Sequence, residues 1–486
     1  MKLQSLLFRS DCCDAPALFF RAEGPVEAKP NGVCLSPGAS LTTDTYLNLF
    51  DDDHWRRHTV VDSWRLEVEA GGSGALELWR RTPEGDVCCD RAELRSAAPG
   101  RTVSLTPKTS GGMYYLRVEA ETEVTLCAAA FRADVPRERM ARIGLAICTY
   151  HRVEQVTENL RRLTGSRFFD PDDGLYGAMH IHVADNGSQL PAGERAPFLR
   201  VFHNPNTGGS GGFRRALREF AARQDALGLT HIVFMDDDAD FDPESFYRLH
   251  AFLSCLREAE AGAVIAGRMF RADTRHVQYT AAEIWNGGAL GHVGFQRDMT
   301  EPAALETMND STGADYGGWW MCCYPADFAL RNDPLPLFLH CDDVEYGLRC
   351  GRAPLLLNGV QVWHETYEYR QSPVITDYYD FRNPLFVNER HAPETMQPAA
   401  LYRRWFDAIT RRHVEGDLRG EYYRIAAMRD YLRGLRWLER HGARRHKRLT
   451  GKKHFSRLEN MIYWRYTALT FRLRFHTLDL DTERNM

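Results

Sequence analysis

At 486 residues, with 44% hydrophobic and 26% charged positions, the chain has the balance of a soluble multidomain globular protein. No run of 18 apolar residues is present, which excludes a membrane-spanning helix, and the apolar stretch in MKLQSLLFRSDCC is too short for the core of a secretory signal. The formal charge of −5 hides an asymmetry: residues 411–475 hold 18 Lys and Arg against 6 Asp and Glu, a surplus of 12 that leaves the rest at −17.

Residues 1–138 are expected to form an antiparallel β-sandwich. Between residues 55 and 133 the runs SWRLEVEA, ALELWRR, TVSLTP, MYYLRVEA and EVTLCAAAF alternate apolar and polar side chains, the signature of strands with one buried face. GGSG, PEGD, APGR and TSGG between them have turn composition. Such a module is either a scaffold or a sugar-binding surface. The 12 cysteines, scattered or in doublets without a CxxC pair, fit reduced thiols in a cytoplasmic protein.

The pattern changes at residue 142. IGLAICTY, MHIHVADNG and HIVFM are continuous apolar strands, and HRVEQVTENLRRL and GGFRRALREFAARQDAL have helical spacing. This alternation implies a Rossmann-like mixed α/β domain over 139–395, whose ligands bind beyond the carboxyl ends of the strands. CTYHR, ADNGS and DDDAD all fall at those ends.

In FMDDDADF, four carboxylates occupy five positions directly after a strand. Like charges so close repel, so either solvent or a cation must stabilise them. Asp236 and Asp238 suit a hard divalent ion, which takes one or two carboxylates and completes its shell with phosphate oxygens. NPNTGGSGGF permits close approach of backbone to a ligand at a helix start, but has neither the P-loop lysine nor a GxGxxG pattern. GGWWMCCYP carries adjacent tryptophans that, in an extended segment, face opposite ways, leaving one indole to make a sugar platform. Asp342 and Asp343 in LHCDDVEYGLRCGR are either helix caps or a general base, and VQVWHE puts His364 at a strand end.

The order CTYHR, ADNG, GGSGGF, DDDAD, GGWW, CDDVEYG, VWHE resembles the GT-A glycosyltransferases of family two, and more closely the polymerising UDP-galactofuranosyltransferases of actinobacterial galactan synthesis. That resemblance, carried by residues 140–390, implies an inverting transferase using Mn²⁺ or Mg²⁺ held by Asp236, Asp238 and His364. It implies donor contacts from Arg152, Asn186, Asn206 and Asp237, and Asp343 as the base. Acceptor contacts would come from Asp342, Trp285, Trp319 and Trp320. His340 and Cys341 stand where that family has a Lys–Trp pair. The implied partners are a UDP-sugar and a lipid-linked glycan, with assembly as a homo-oligomer. Another nucleotide sugar, such as a UDP-hexopyranose or dTDP-rhamnose, and a non-catalytic carbohydrate-binding protein remain open.

From 396 to 486 the chain is helical and Arg-rich, with aromatic and aliphatic residues at three- and four-residue spacing. This composition suits peripheral contact with an anionic membrane. Nucleic-acid binding is not expected, since it leaves the acidic cluster without a purpose.

Overall fold

The computed structural model describes residues 1–29, 32–82, 84–135 and 140–484. An antiparallel β region, a central mixed sheet and a C-terminal set of helices follow one another, as the residue patterns predict. The boundary expected between 138 and 139 lies outside the described residues.

The first region is a ten-stranded antiparallel sheet. Two of its expected turns are corrected: GGSG at 71–74 lies inside the strand Arg65–Arg81, and APGR at 98–101 inside Val87–Leu105. Gly72 and Gly100 take φ of 112° and 107°, bending each strand without ending it. A Cβ on Gly72 would lie 2.2 Å from the Glu123 carbonyl oxygen. Through this bend one strand serves two neighbours: residues 65–71 pair with Val124–Arg132, and 74–81 with Met113–Ala120.

In the central sheet Leu199–His203, Met179–Asp185, Ile143–Thr149 and His231–Asp236 run parallel in that order. In Met179–Asp185, Ile143–Thr149 and His231–Asp236 the side chains are buried on both faces, which is why these strands are apolar runs, whereas Leu199–His203 alternates. Met321–Pro325 is antiparallel to His231–Asp236, Ile265–Arg271 is antiparallel to it in turn, and Leu355–His364 runs parallel to Ile265–Arg271. Two reversals restore the direction, so Asp236 and His364 end their strands at the same edge. One hydrophobic core runs without interruption from the first region into this sheet.

The helices Pro398–Val414, Leu418–Arg433, Leu435–Gly451 and Arg457–Arg484 pack through Trp405, Ile425 and Phe471 onto Leu385, Phe386 and Leu337. The loop that precedes Asp342 is thus held between the central sheet and the C-terminal helices. Among the described residues, no helix is long and apolar enough to cross a membrane.

Candidate active site

Every acid of DDDAD has a cationic neighbour. Arg152 Nη1 lies 3.0 Å from Asp237 Oδ1 and 2.8 Å from Asp238 Oδ2. Arg370 pairs with Asp238 Oδ2, and Arg162 and Arg275 take the two oxygens of Asp240 at 3.3 and 3.1 Å. The side chain of Asn159, buried on the helix Val153–Thr164, donates to the carbonyls of Asp237 and Ala239. The backbones of Asp240 and Trp363 exchange two 2.8 Å hydrogen bonds, which dock the acidic loop against the end of the His364 strand.

That docking brings His364 Nε2 to 3.4 Å from Asp236 Oδ2 and 3.2 Å from Asp238 Oδ1. The three side chains present ligand atoms within 4.8 Å of one another. The Nδ1–H of His364 donates to the Glu365 carbonyl at 2.8 Å, which fixes the ring with Nε2 towards the carboxylates. Burial disfavours the imidazolium, yet the Asp236 and Asp238 carboxylates outweigh it and push the pKa of His364 up to about 9. Burial likewise opposes the Asp238 charge, but His364, Arg370 and Arg152 hold that carboxyl well below the usual range. Asp238 Oδ1 and His364 Nε2 are buried and, apart from the carboxylate–imidazole contacts just given, have no hydrogen-bond partner. Two carboxylates and one imidazole with inward-facing orphaned atoms fit a divalent ion of the Mg²⁺ or Mn²⁺ kind.

Asp342 and Asp343 open the helix Asp342–Cys350. The loop before them is strained: Phe338, His340 and Cys341 take φ of 77°, 62° and 62°, in the left-handed region that favours glycine. Two buried side chains hold it there. Asn383 Nδ2 donates to the carbonyls of Leu339 and His340 at 2.5 and 2.8 Å, and Arg382 Nη2 to that of Leu337 at 2.5 Å. Ser210 Oγ, from the glycine-rich helix start, accepts the Phe338 N–H. Among the described residues, no arginine pairs with Asp342 or Asp343. Burial raises both carboxyls, and each is eased by backbone N–H groups at the helix start and by His340, whose Nδ1 is 2.7 Å from Asp380 Oδ1. Asp342 is raised further by the charge of Asp343.

Of the twelve residues singled out in the sequence, all but Asp238 line one cavity of about 700 Å³. Asp238 sits just behind its wall, against Arg152 and Arg370. Asp237 is buried, which lifts its carboxyl to about 6 despite Arg152. Asn186 spends its amide on the glycine loop, donating to the Gly208 carbonyl and accepting from Asn204, and Asn206 Oδ1 accepts the Gly208 N–H. Trp285 donates its indole N–H to Asn388. The idea of an exposed indole platform at GGWW is corrected. Trp319 and Trp320 do face opposite ways, but they are only 4% and 3% exposed. Trp319 stacks on Phe234, while Trp320 donates to the Gly267 carbonyl on the other side of the sheet.

The model of the family "Galactofuranosyltransferase 2 N-terminal" matches residues 25–134. Galactofuranosyltransferase GlfT2 of Mycolicibacterium smegmatis is 27% identical over 389 residues, covering 74% of this chain and 58% of that protein. Its counterpart in Mycobacterium tuberculosis is 28% identical over 397 residues, covering 74% and 60%. Over about three quarters of its length the chain is similar to GlfT2. It spans about three fifths of the length of these relatives. Among solved structures, the mannosyltransferase PcManGT from Pyrobaculum calidifontis, in complex with GDP-Man and Mn²⁺, is 11% identical over 71% of this chain and 90% of its own, with a TM-score of 0.32.

Several residues of this site escape sequence reasoning. Asn159 leaves a trace: it occupies an apolar-face position between Val156 and Leu163. Glu283 and His292, paired at 2.6 Å on a hairpin beside the cavity, lie in a stretch with no motif, and so do Arg370, Arg382 and Asn383.

Proposed function

We propose that this chain is a metal-dependent inverting glycosyltransferase that moves galactofuranose from UDP-galactofuranose to a hydroxyl of a glycan acceptor. The observation that carries it is the meeting, in one cavity, of a cation-ligand triad with a carboxylate pair, Asp342 buried and Asp343 half-buried, that no arginine among the described residues reaches. We assign the transfer to residues 139–395, with 1–138 as the β-sandwich and 396–486 as a separate helical domain.

Asp236, Asp238 and His364 hold the divalent ion, and a cation bound there supplies Lewis acidity to the leaving diphosphate. Arg152 keeps Asp237 and Asp238 in place. Asn206 and the backbone at the start of Gly208–Ala221 form the cradle for the donor. The Asp343 carboxylate removes the proton from the acceptor hydroxyl, which attacks the anomeric carbon opposite the departing UDP. Asp342 and Trp285 position the acceptor, and the edges of Trp319 and Trp320 shape its path. With one base and no carboxylate nucleophile assigned, the result is a single displacement with inversion.

The test is a donor panel with a short galactofuranosyl acceptor, read by mass spectrometry. Extension only with UDP-galactofuranose, dependent on Mn²⁺ or Mg²⁺, is expected. Turnover of only a pyranose donor overturns the choice of sugar, and the absence of product with every donor overturns the enzyme reading.

The same reading places the C-terminal helices at an anionic lipid surface. On Arg457–Arg484, Leu458, Met461, Ile462, Tyr466 and Leu469 are exposed along one face beside the exposed Arg457, Arg465 and Arg472. Apolar side chains flanked by guanidinium groups complement anionic headgroups over acyl chains. Flotation with anionic vesicles at low salt, lost at high salt, is the expected result. A homo-oligomer in solution with no vesicle binding would assign that face to a second copy instead.

A further inference from the structure

Arg152 and Arg370 both reach Asp238, but they are held very differently. Arg152 begins the helix Val153–Thr164 and bridges two acids, Asp237 and Asp238. Arg370 follows the single turn Tyr367–Tyr369, just after His364. Its guanidinium donates to Asp238 Oδ2 through Nη2, and its only other acidic partner among the described residues is Glu365, through Nε at 3.0 Å. Glu365 is itself 53% exposed and a weak tether. Asp238 Oδ2 therefore carries two guanidinium groups, while Asp238 Oδ1 is buried and faces only His364 Nε2, at 3.2 Å.

A divalent ion shared by Asp236, Asp238 and His364 would take up the charge that Arg370 neutralises, and would repel the guanidinium beside it. The displaced group lines the same cavity as the glycine-rich helix start, where a diphosphate presents several anionic oxygens.

We propose that Arg370 competes with the divalent ion for Asp238 and, once displaced, partners the donor's diphosphate. Ion binding and nucleotide binding are thereby coupled through one side chain: the ion frees the arginine, and the nucleotide occupies it. This inference rests on the metal and nucleotide sites proposed above and adds a residue outside the metal-ligand set.

The experiment measures two affinities on the full chain, Mn²⁺ alone by electron paramagnetic resonance and UDP at saturating Mn²⁺ by calorimetry, for wild type, Arg370→Gln and Arg370→Lys. The expected result is opposite signs. Arg370→Gln binds Mn²⁺ several-fold more tightly, because its competitor is gone, and binds UDP about tenfold more weakly, because a charge-assisted hydrogen bond is lost. Arg370→Lys falls between wild type and Arg370→Gln in both. A merely structural arginine would weaken both affinities together, and that outcome, or no change in either, overturns the proposal while leaving the enzyme reading intact. If wild type itself binds neither Mn²⁺ nor UDP, the enzyme reading fails first.

Discussion

Two groups of carboxylates face the same cavity and live under opposite electrostatics. Around Asp236–Asp240, four arginines and an imidazole offset the acids, and Asp238 stays ionised well below the ordinary range although it is buried. Asp342 is buried and Asp343 half-buried, but among the described residues no arginine reaches them and their carboxyls are raised. In the first group Asp238 stays charged near neutrality, which is what holding a cation demands. The second hovers between forms, which is what accepting and releasing a proton demands. Residue type alone does not distinguish them, since both are runs of aspartate after apolar sequence.

The most severe way to break this contrast is to remove the base. Asp343→Asn is expected to lower transfer by about 10²–10⁴-fold, with Mn²⁺ and UDP affinities within about twofold of wild type. Stability should move the other way. A carboxyl raised in the folded state binds more protons there than when unfolded, so its charge costs stability as pH rises from the ordinary carboxylate range through the raised value. At pH 7.5 the neutral amide removes that cost, and the melting temperature should be equal to wild type or higher. A variant that loses activity through a lower melting temperature would contradict the assignment.

At the other cluster the same substitution should be harmful to folding. Asp238→Asn leaves Arg152 and Arg370 without their shared oxygen. It is expected to abolish Mn²⁺ binding, to reduce transfer about 100-fold or more, and to lower the melting temperature, all measurable on one preparation. Exhaustive chelation of wild type should reproduce the loss of transfer without the loss of stability, and adding Mn²⁺ back should restore it.

How far the sequence foretold this contrast depends on distance along the chain. The parallel strands and the acids at their ends were legible, because buried strands are continuous apolar runs and DDDAD follows one directly. The meeting of His364 with Asp236 depended on two strand reversals, at Met321–Pro325 and Ile265–Arg271, that no local pattern announces; only the resemblance supplied it. GGSG and APGR misled because glycine marks a bend within a strand as readily as a turn between two. The paired tryptophans misled because the turn before Met321–Pro325 is packed on both sides, so opposite directions did not mean one exposed ring. Asn383 and Arg382 stayed hidden, since a buried polar residue in a helix shows its purpose only when the carbonyls it holds come from 40 or more positions away.

Those two residues give a smaller and sharper test. Asn383→Ala removes the donor that holds the Leu339 and His340 carbonyls, and three left-handed residues lose part of what keeps them strained. The expected outcome is a drop in kcat of about tenfold from a displaced Asp343, with Mn²⁺ affinity unchanged because the triad is built on other elements. Equal losses of kcat and Mn²⁺ affinity would show that the two carboxylate groups do not respond independently.

The smallest effect expected is one of pH. Because the Asp342 and Asp343 carboxyls are raised, transfer should fall on acidification at a higher pH than an ordinary aspartate near 3.9 would set, as the base becomes protonated. His340 bears on that limb. Burial favours its neutral form, but Asp380 outweighs burial and raises it, so the ring holds its charge longer than a free histidine as pH rises. That positive charge eases both aspartates towards their ionised forms. His340→Ala removes it and should move the acid limb of kcat/KM upward, so that the ratio of activity at pH 6 to activity at pH 8 falls below that of wild type. Asp380→Asn, which takes away the partner that keeps the ring charged, should shift the limb in the same direction by less. An unmoved limb in both variants would mean that the base is tuned by burial alone.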